Sequence, residues 1–167
     1  QNGKLDSDEG KFVVVGGMDT GTGTKFSGKL IADANATVVS PLSTIIAKMM
    51  DLGASKDDAT TALAIALGLD NTIDFTHYDP IQEAVEGDTR ATVVMMANLR
   101  MANLVNQAEG LLRVLSSEYN GNDVGSNLLG EIAKTINSDP DKSVLNLEKA
   151  LLDGLPIALA SVGTHEE

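Results

Sequence analysis

The chain of 167 residues carries a formal net charge of −12, from 24 acidic side chains against 12 Lys and Arg. This balance argues against a surface for nucleic acid or for anionic membranes, because both bind basic patches. The absence of Cys excludes a disulfide framework and a thiolate metal site, and an aromatic content of 3% predicts a core of aliphatic side chains and Met, which favours packed helices.

The first element is an acidic turn at residues 2–9. Its sequence, Asn-Gly-Lys-Leu-Asp-Ser-Asp-Glu, is similar to the second half of a calcium loop, in which a Gly-permitted turn holds several oxygen ligands. Asn2, Asp6, Asp8 and Glu9 would supply those oxygens, whereas the acidic residues of the first half would precede residue 1. Two interpretations follow, a partial calcium site or an acidic turn without a ligand.

Residues 1–36 are rich in Gly and Thr, and they contain two short runs that are typical of β-strands. The runs extend from Phe12 to Val15 and from Phe26 to Ile31, on either side of the turn-rich segment Gly16 to Gly23. We therefore predict a β-ribbon or hairpin. Its candidate interaction residues are Phe12, Val13, Val14, Val15, Phe26 and Leu30.

The same glycine cluster is the feature that comes nearest to a phosphate-binding loop. Such a loop needs Gly-Lys-Ser/Thr opening directly into a helix, so that backbone amides and the helix N-terminus hold the phosphates. Here the order is Gly23-Thr24-Lys25, and the following residues favour a strand. The pattern indicates a turn and not a nucleotide site.

The sequence after residue 36 predicts helices. Ser40-Pro41 begins the first, which ends at Gly53, and Ser55 begins the second, for which Gly68 is a natural end. The stretch from Asp70 to Tyr78 is predicted to be non-helical, and Asp79-Pro80 to begin a short helix.

The longest predicted helix runs from Asp88 to about Ser117, and two more follow at about 125–137 and 140–153. Pro156 separates these from a last apolar segment, Ile157 to Val162. The apolar face of the longest helix is predicted at Val93, Ala97, Met101, Leu104, Ala108, Leu111 and Leu115. This regular spacing favours it as the central helix of the fold.

Together these elements predict a mainly α fold, a helical bundle of five to seven helices with an N-terminal β-ribbon or hairpin. Residues 1–36 would form the acidic turn and the β-ribbon arm, and residues 37–167 the bundle. No apolar run approaches the ~18 residues of a membrane-spanning helix, so no membrane span is expected.

The sequence offers no pattern that is typical of catalysis. The two His residues, His77 and His165, lack the spacing of a paired metal site, and no Gly-x-Ser-x-Gly element is present. Acidic pairs such as Asp57 and Asp58 are adjacent in sequence and badly placed to share a proton. We therefore expect a protein that is not an enzyme, and keep an unrecognised enzyme around His77 as the least favoured hypothesis.

One longer pattern is not generic. The segments Gly16 to Leu30 and Thr37 to Thr44 resemble a module of very large exported surface proteins of Gram-negative bacteria, which carry Ig-like, cadherin-like and calcium-binding repeats. Ala66-Leu67-Gly68-Leu69 and Tyr78-Asp79-Pro80-Ile81 extend the resemblance, which covers roughly residues 2–110. Asp8 stands where the module has Gly. The resemblance implies an extracellular or cell-surface location, a structural or adhesive use, and no catalysis.

Two non-enzymatic hypotheses remain open from the sequence. The first is an extracellular structural module that contacts protein, either itself or neighbouring domains, and forms a homo-oligomer or filament by edge-to-edge pairing of the β-ribbon. The second is an adhesin module that binds glycan or peptide, for which the few aromatic residues offer little stacking surface. Calcium is the one cofactor that the sequence suggests.

Overall fold

A computed structural model describes residues 10–18, 25–26, 28–115 and 122–138, with the side chains of 111–115 and 122–123 excepted. These residues form a mainly α fold with an N-terminal two-stranded antiparallel hairpin, which confirms the predicted class. The predicted helix at 140–153 and the segment from Ile157 to Val162 lie outside the described residues. The elements are β1 (Lys11–Val15), β2 (Lys29–Asp33), α1 (Pro41–Asp51), α2 (Lys56–Leu67), α3 (Pro80–Glu86), α4 (Ala91–Leu115) and α5 (Asn122–Ser138).

The starts of α1, α2 and α3 lie where the capping residues predicted them, whereas α4 was predicted from Asp88 and begins at Ala91. The hydroxyl of Ser40 accepts a hydrogen bond from the Ser43 backbone N–H at 3.2 Å, and the Ser43 hydroxyl accepts one from the Ser40 N–H at 2.8 Å. The hydroxyl of Ser55 caps α2 by accepting from the backbone N–H of Asp58, and the carboxylate of Asp79 caps α3. Each side chain satisfies N–H groups that a helix start leaves without an intrahelical partner.

The hairpin pairs β1 with β2 in a register that sets Lys11 opposite Asp33 and Val15 opposite Lys29. The second strand was predicted from Phe26 to Ile31, but it begins at Lys29 and ends at Asp33. The cause is a one-residue shift in the pairing, because Gly16 lies opposite Gly28 whereas Met18 forms a bridge with Lys25. Such a bulge interrupts the regular ladder before Lys29.

The prediction for the face of α4 was wrong at its first residue. Val93 is 53% exposed, whereas the neighbouring Val94 is 1% exposed. Ala97, Met101 and Ala108 are buried as predicted, and Leu104 is half-buried; Leu111 and Leu115 have no described side chain. The buried face runs through Ala91, Val94, Ala97, Met101, Val105 and Ala108.

Among the described elements, α1 and not α4 occupies the centre of the fold. It packs against β2, α2, α4 and α5, and its residues Leu42, Ile45 and Ile46 are fully buried. The loop between α2 and α3 closes one side of this core by inserting Ile73 and Phe75. The helix α3 contributes no buried residue and lies against α4.

Candidate assembly surface

The outer edge of the hairpin is the exposed edge of β1. The backbone N–H of Gly16 donates to the carbonyl of Gly28 at 3.0 Å. Because hydrogen-bonded and non-bonded pairs alternate along an antiparallel ladder, Val14 and Phe12 also bond to β2. The N–H and C=O groups of Lys11, Val13 and Val15 therefore point away from β2, toward a side where the described residues place no further strand.

The opposite edge of the hairpin is covered. The N–H of Ile31 points away from β1 and donates to the hydroxyl of Thr44 in α1 at 2.9 Å. Thr44 is fully buried, and its hydroxyl donates in turn to the Ser40 carbonyl at 2.8 Å. The hairpin thus has one edge that is bonded to the bundle, and one that no other described strand covers. Sequence reasoning missed Thr44, because a Thr in the first turn of a helix carries no sign of a strand that is distant in sequence.

Four of the five side chains of β1 are apolar, and they are accessible on both faces of the hairpin. Phe12 and Val14 lie on the face of the sheet that carries the buried Ala32, and they are 39% and 42% exposed. Val13 and Val15 lie on the other face, at 53% and 56%. A strand that exposes four consecutive large apolar side chains beside unpaired backbone groups is a template for a further strand.

The structure divides the six predicted interaction residues into two groups. The four residues of β1 form the exposed edge, whereas Phe26 and Leu30 are half-buried and pack against the core. Leu30 lies opposite Val14, so it anchors the inner strand and does not form part of the outer surface. The proposed calcium ligands, Asn2, Asp6, Asp8 and Glu9, lie outside the described residues, and the calcium site stays a prediction.

The polar residues of the 70–78 loop hold the loop itself. Asp74 accepts hydrogen bonds from the Thr76 N–H at 3.0 Å and from the Thr76 hydroxyl at 2.6 Å, and it pairs with Lys56 at 3.1 Å. Nδ1 of His77 lies 3.0 Å from Asp74. Partial burial alone would raise the pKa of Asp74, but the bonds from Thr76, Lys56 and His77 outweigh it and lower that pKa to about 2.

A second group of charged residues joins the same loop to the start of α4. The guanidinium of Arg90 binds Asp88 at 2.7 Å and reaches Asp70 at 3.4 Å. The hydrogen bonds from Arg90 hold the pKa of Asp88 well below its usual range. Burial, and after it the nearby Asp88 carboxylate, raise the pKa of Tyr78 to about 12. These contacts fix the loop against the bundle. The pKa of the Asp70 carboxyl is lowered as well as that of Asp88, by hydrogen bonds from Thr72 and then from the guanidinium.

The clefts on the described surface include a larger and a smaller one near charged residues. One, of about 400 Å³, lies between α1 and α5 and is lined by charged residues such as Lys48, Asp51 and Glu131. The other, of about 230 Å³, lies between the start of α2 and the 70–78 loop, and it is lined by Lys56, Asp57, Thr60, Thr61, Asn71, Thr72, Ile73 and Asp74. Neither lining includes an aromatic ring among the described residues, so neither offers the stacking platform that sugar sites use.

No described group of three or more His, Cys, Asp or Glu side chains is placed to hold a metal ion. Within the same part of the chain, no helix is long and apolar enough to cross a membrane. No protein-family model, no curated protein and no solved structure matches this chain.

Proposed function

We propose that this chain is a non-enzymatic structural module of a bacterial cell-surface or matrix protein, and that it assembles with other protein through the open edge of β1. The observation that carries the proposal is the contrast between the two edges of the hairpin. Ile31 on the inner strand is capped by Thr44, whereas Val13 on the outer strand directs its N–H and C=O away from the fold. Strand addition at such an edge supplies both backbone hydrogen bonds and apolar contacts.

The exposed side chains support a role in assembly and not in maintaining the monomer. Soluble proteins protect free edges with charged residues, Pro or bulges. In β1 the single charged residue is Lys11, which forms an ion pair with Asp51 at the end of α1. The strand therefore presents four accessible apolar residues, and its one charge is a cation that is paired with Asp51, although the chain as a whole is strongly acidic. The extracellular location is supported by the resemblance to modules of large exported surface proteins.

A proline substitution at the centre of β1 tests the proposal. Val13→Pro removes the outward N–H without breaking the pairing with β2, since the N–H of Val13 is not used in the hairpin. We expect the wild-type chain to self-associate with rising concentration, and the variant to stay monomeric in sedimentation-velocity experiments. Val13→Thr keeps both the N–H and the β-branched shape, and should associate within about twofold of the wild-type affinity.

A second control addresses general stickiness. Val93→Thr changes an equally exposed valine on α4, and should leave self-association unchanged. Circular dichroism would establish that all variants keep the fold. A Val13→Pro variant that associates as strongly as wild type would contradict assembly through β1, and a wild-type chain that stays monomeric at every concentration would contradict self-association through it.

A further inference from the structure

We infer that the partner of β1 is the β1 strand of a second copy, paired antiparallel about a two-fold axis at Val13, so that the edge forms a closed dimer. The inference rests on the proposed function and specifies its partner. Among the described residues each copy has one open hairpin edge, because α1 covers the other at Ile31. Pairing the two open edges uses both, and a self-complementary contact of this kind closes after two copies.

The backbone pattern defines the register. The outward N–H and C=O groups belong to Lys11, Val13 and Val15, so a second strand must place its own odd-numbered residues opposite these. With Val13 opposite Val13, Lys11 of each copy lies opposite Val15 of the other. All five residues of both strands then pair. The outward N–H and C=O groups of Lys11, Val13 and Val15 in each copy all form hydrogen bonds with the other copy.

The ends of β1 oppose any shift from this register. Gly10 has a φ of 122° and Gly16 a φ of 71°, so extended geometry stops at both ends of the strand. If the two strands shifted by two residues, Gly10 or Gly16 of one copy would lie opposite a β1 residue of the other. The ladder would then lose hydrogen-bonded pairs. A slip of four toward the N-terminus would also bring the two Lys11 side chains face to face.

The side chains fit the same arrangement. Phe12 of each copy lies opposite Val14 of the other in a non-hydrogen-bonded pair, where side chains approach most closely. Aromatic and β-branched residues pair favourably across strands. The two Lys11 side chains lie at opposite ends of the paired strands, and β1 contains no acidic residue. The result is a four-stranded sheet with strand order β2-β1-β1-β2, and the helices of both copies lie on one face.

The size of this contact sets its strength. A five-residue strand pair buries on the order of a few hundred Å² per copy, less than the ~800 Å² per partner of a standard stable interface. The dimer is therefore expected to be concentration-dependent, with a dissociation constant that is roughly micromolar or weaker. A filament would require a second contact surface, since the dimer leaves no open hairpin edge among the described residues.

Disulfide trapping in the full chain tests the geometry, because the chain has no Cys of its own. Opposed residues in a hydrogen-bonded pair have Cα atoms ~5.5 Å apart, which lies within the range that a disulfide can span. Val13→Cys should therefore form covalent dimers under copper-phenanthroline oxidation. Val15→Cys alone should form them at least tenfold more slowly, because the two residues at position 15 would be ~13 Å apart along the strands.

The cross-check uses two variants together. An equimolar mixture of Lys11→Cys and Val15→Cys should give the mixed dimer, identified by intact mass, faster than either variant gives its own. Rapid trapping of Val15→Cys alone would overturn the inference, as a parallel pairing would produce it. If Val13→Pro abolishes association while Val13→Cys is not trapped, the two-fold register is wrong but assembly through β1 stands. A wild-type chain that never associates overturns the two-copy dimer and leaves the edge of β1 to a strand of another protein.

Discussion

Helices α4 and α5 meet the entry to β2 at two glycines, Gly28 and Gly125, and neither position has room for a larger residue. Gly125 in α5 lies against Val105 and Glu109 of α4, and a Cβ added to it would lie 2.5 Å from Val105 Cγ1 and 3.7 Å from the Cα of Gly28. Glu109 is 2% exposed at this junction, so it is enclosed by the same three elements. Glycine at this position sets how closely α5 approaches both α4 and the entry to β2.

The two glycines of α5 should respond oppositely to the same substitution. Gly125→Ala should lower the free energy of unfolding by about 1–3 kcal/mol, because the new methyl group overfills a packed contact with the fully buried Val105. Gly130→Ala meets its nearest atom, Lys48 Cδ, at an ordinary 3.9 Å, and should raise it by up to about 1 kcal/mol through helix propensity. Urea unfolding of the two variants measures both; a stabilised Gly125→Ala would show that the interhelical contact is not tight.

At the scale of elements, α1 acts both as the central helix and as the cover of one sheet edge. Its first turn places Thr44 where the hydroxyl receives the Ile31 N–H, so the hairpin is attached to the bundle by a hydrogen bond as well as by the packing of Leu30 and Ala32. The attachment explains why β2 is mostly shielded from solvent while β1 is exposed along its length.

Replacement of this hydroxyl should loosen the hairpin. Thr44→Val keeps the shape of the side chain but leaves the part-buried N–H of Ile31 without its acceptor, at a cost of about 1–3 kcal/mol. Hydrogen exchange at the Ile31 amide should accelerate more than exchange within α5. Thr135→Val is the matched control, because its exposed hydroxyl binds a carbonyl of its own helix, and its effect should stay within about 0.5 kcal/mol. Equal effects of the two variants would argue against a special role for Thr44.

The elements that depend on local chemistry were predictable from the sequence, and those that depend on distant contacts were not. Ser40 and Asp79 satisfy N–H groups within three residues, so their capping roles can be deduced without the fold. The face of α4 could not be deduced at its start, because Val93 and Val94 are both apolar and either phase of the helical pattern includes Ala97 and Met101.

The candidate surface shows the same division. The β-propensity of residues 12–15 predicted a strand, but its open edge follows from which residues bond to β2 and from the Thr44 contact. Leu30 had the same apolar, β-prone character as Val14 in the sequence, yet it packs against the core, since the inner strand of the hairpin lies on α1. Single-sequence patterns distinguish strand from helix, but they do not distinguish an inner strand from an edge strand.

At the scale of the whole molecule, the charge of the chain opposes the dimer that the hairpin edge favours. Each copy carries a formal charge of −12, and pairing of the β1 strands brings two such copies together. The contact strand itself contains no acidic residue, so the repulsion comes from acidic residues outside β1. Repulsion of this kind is long-ranged and is reduced by dissolved salt.

The dimer should therefore become more stable as salt is added. The Debye length falls from ~30 Å at 0.01 M to ~8 Å at 0.15 M ionic strength, which removes most of the repulsion between the two bodies but leaves the strand contact intact. We expect the dissociation constant from sedimentation equilibrium to fall several-fold over this range. Val13→Pro should stay monomeric at both ionic strengths, since screening creates no new backbone donor. A dissociation constant that rises with salt would instead mean that ion pairs between the copies, such as pairs formed by Lys11, hold the dimer together. Apolar strand pairing would then not be the main contribution.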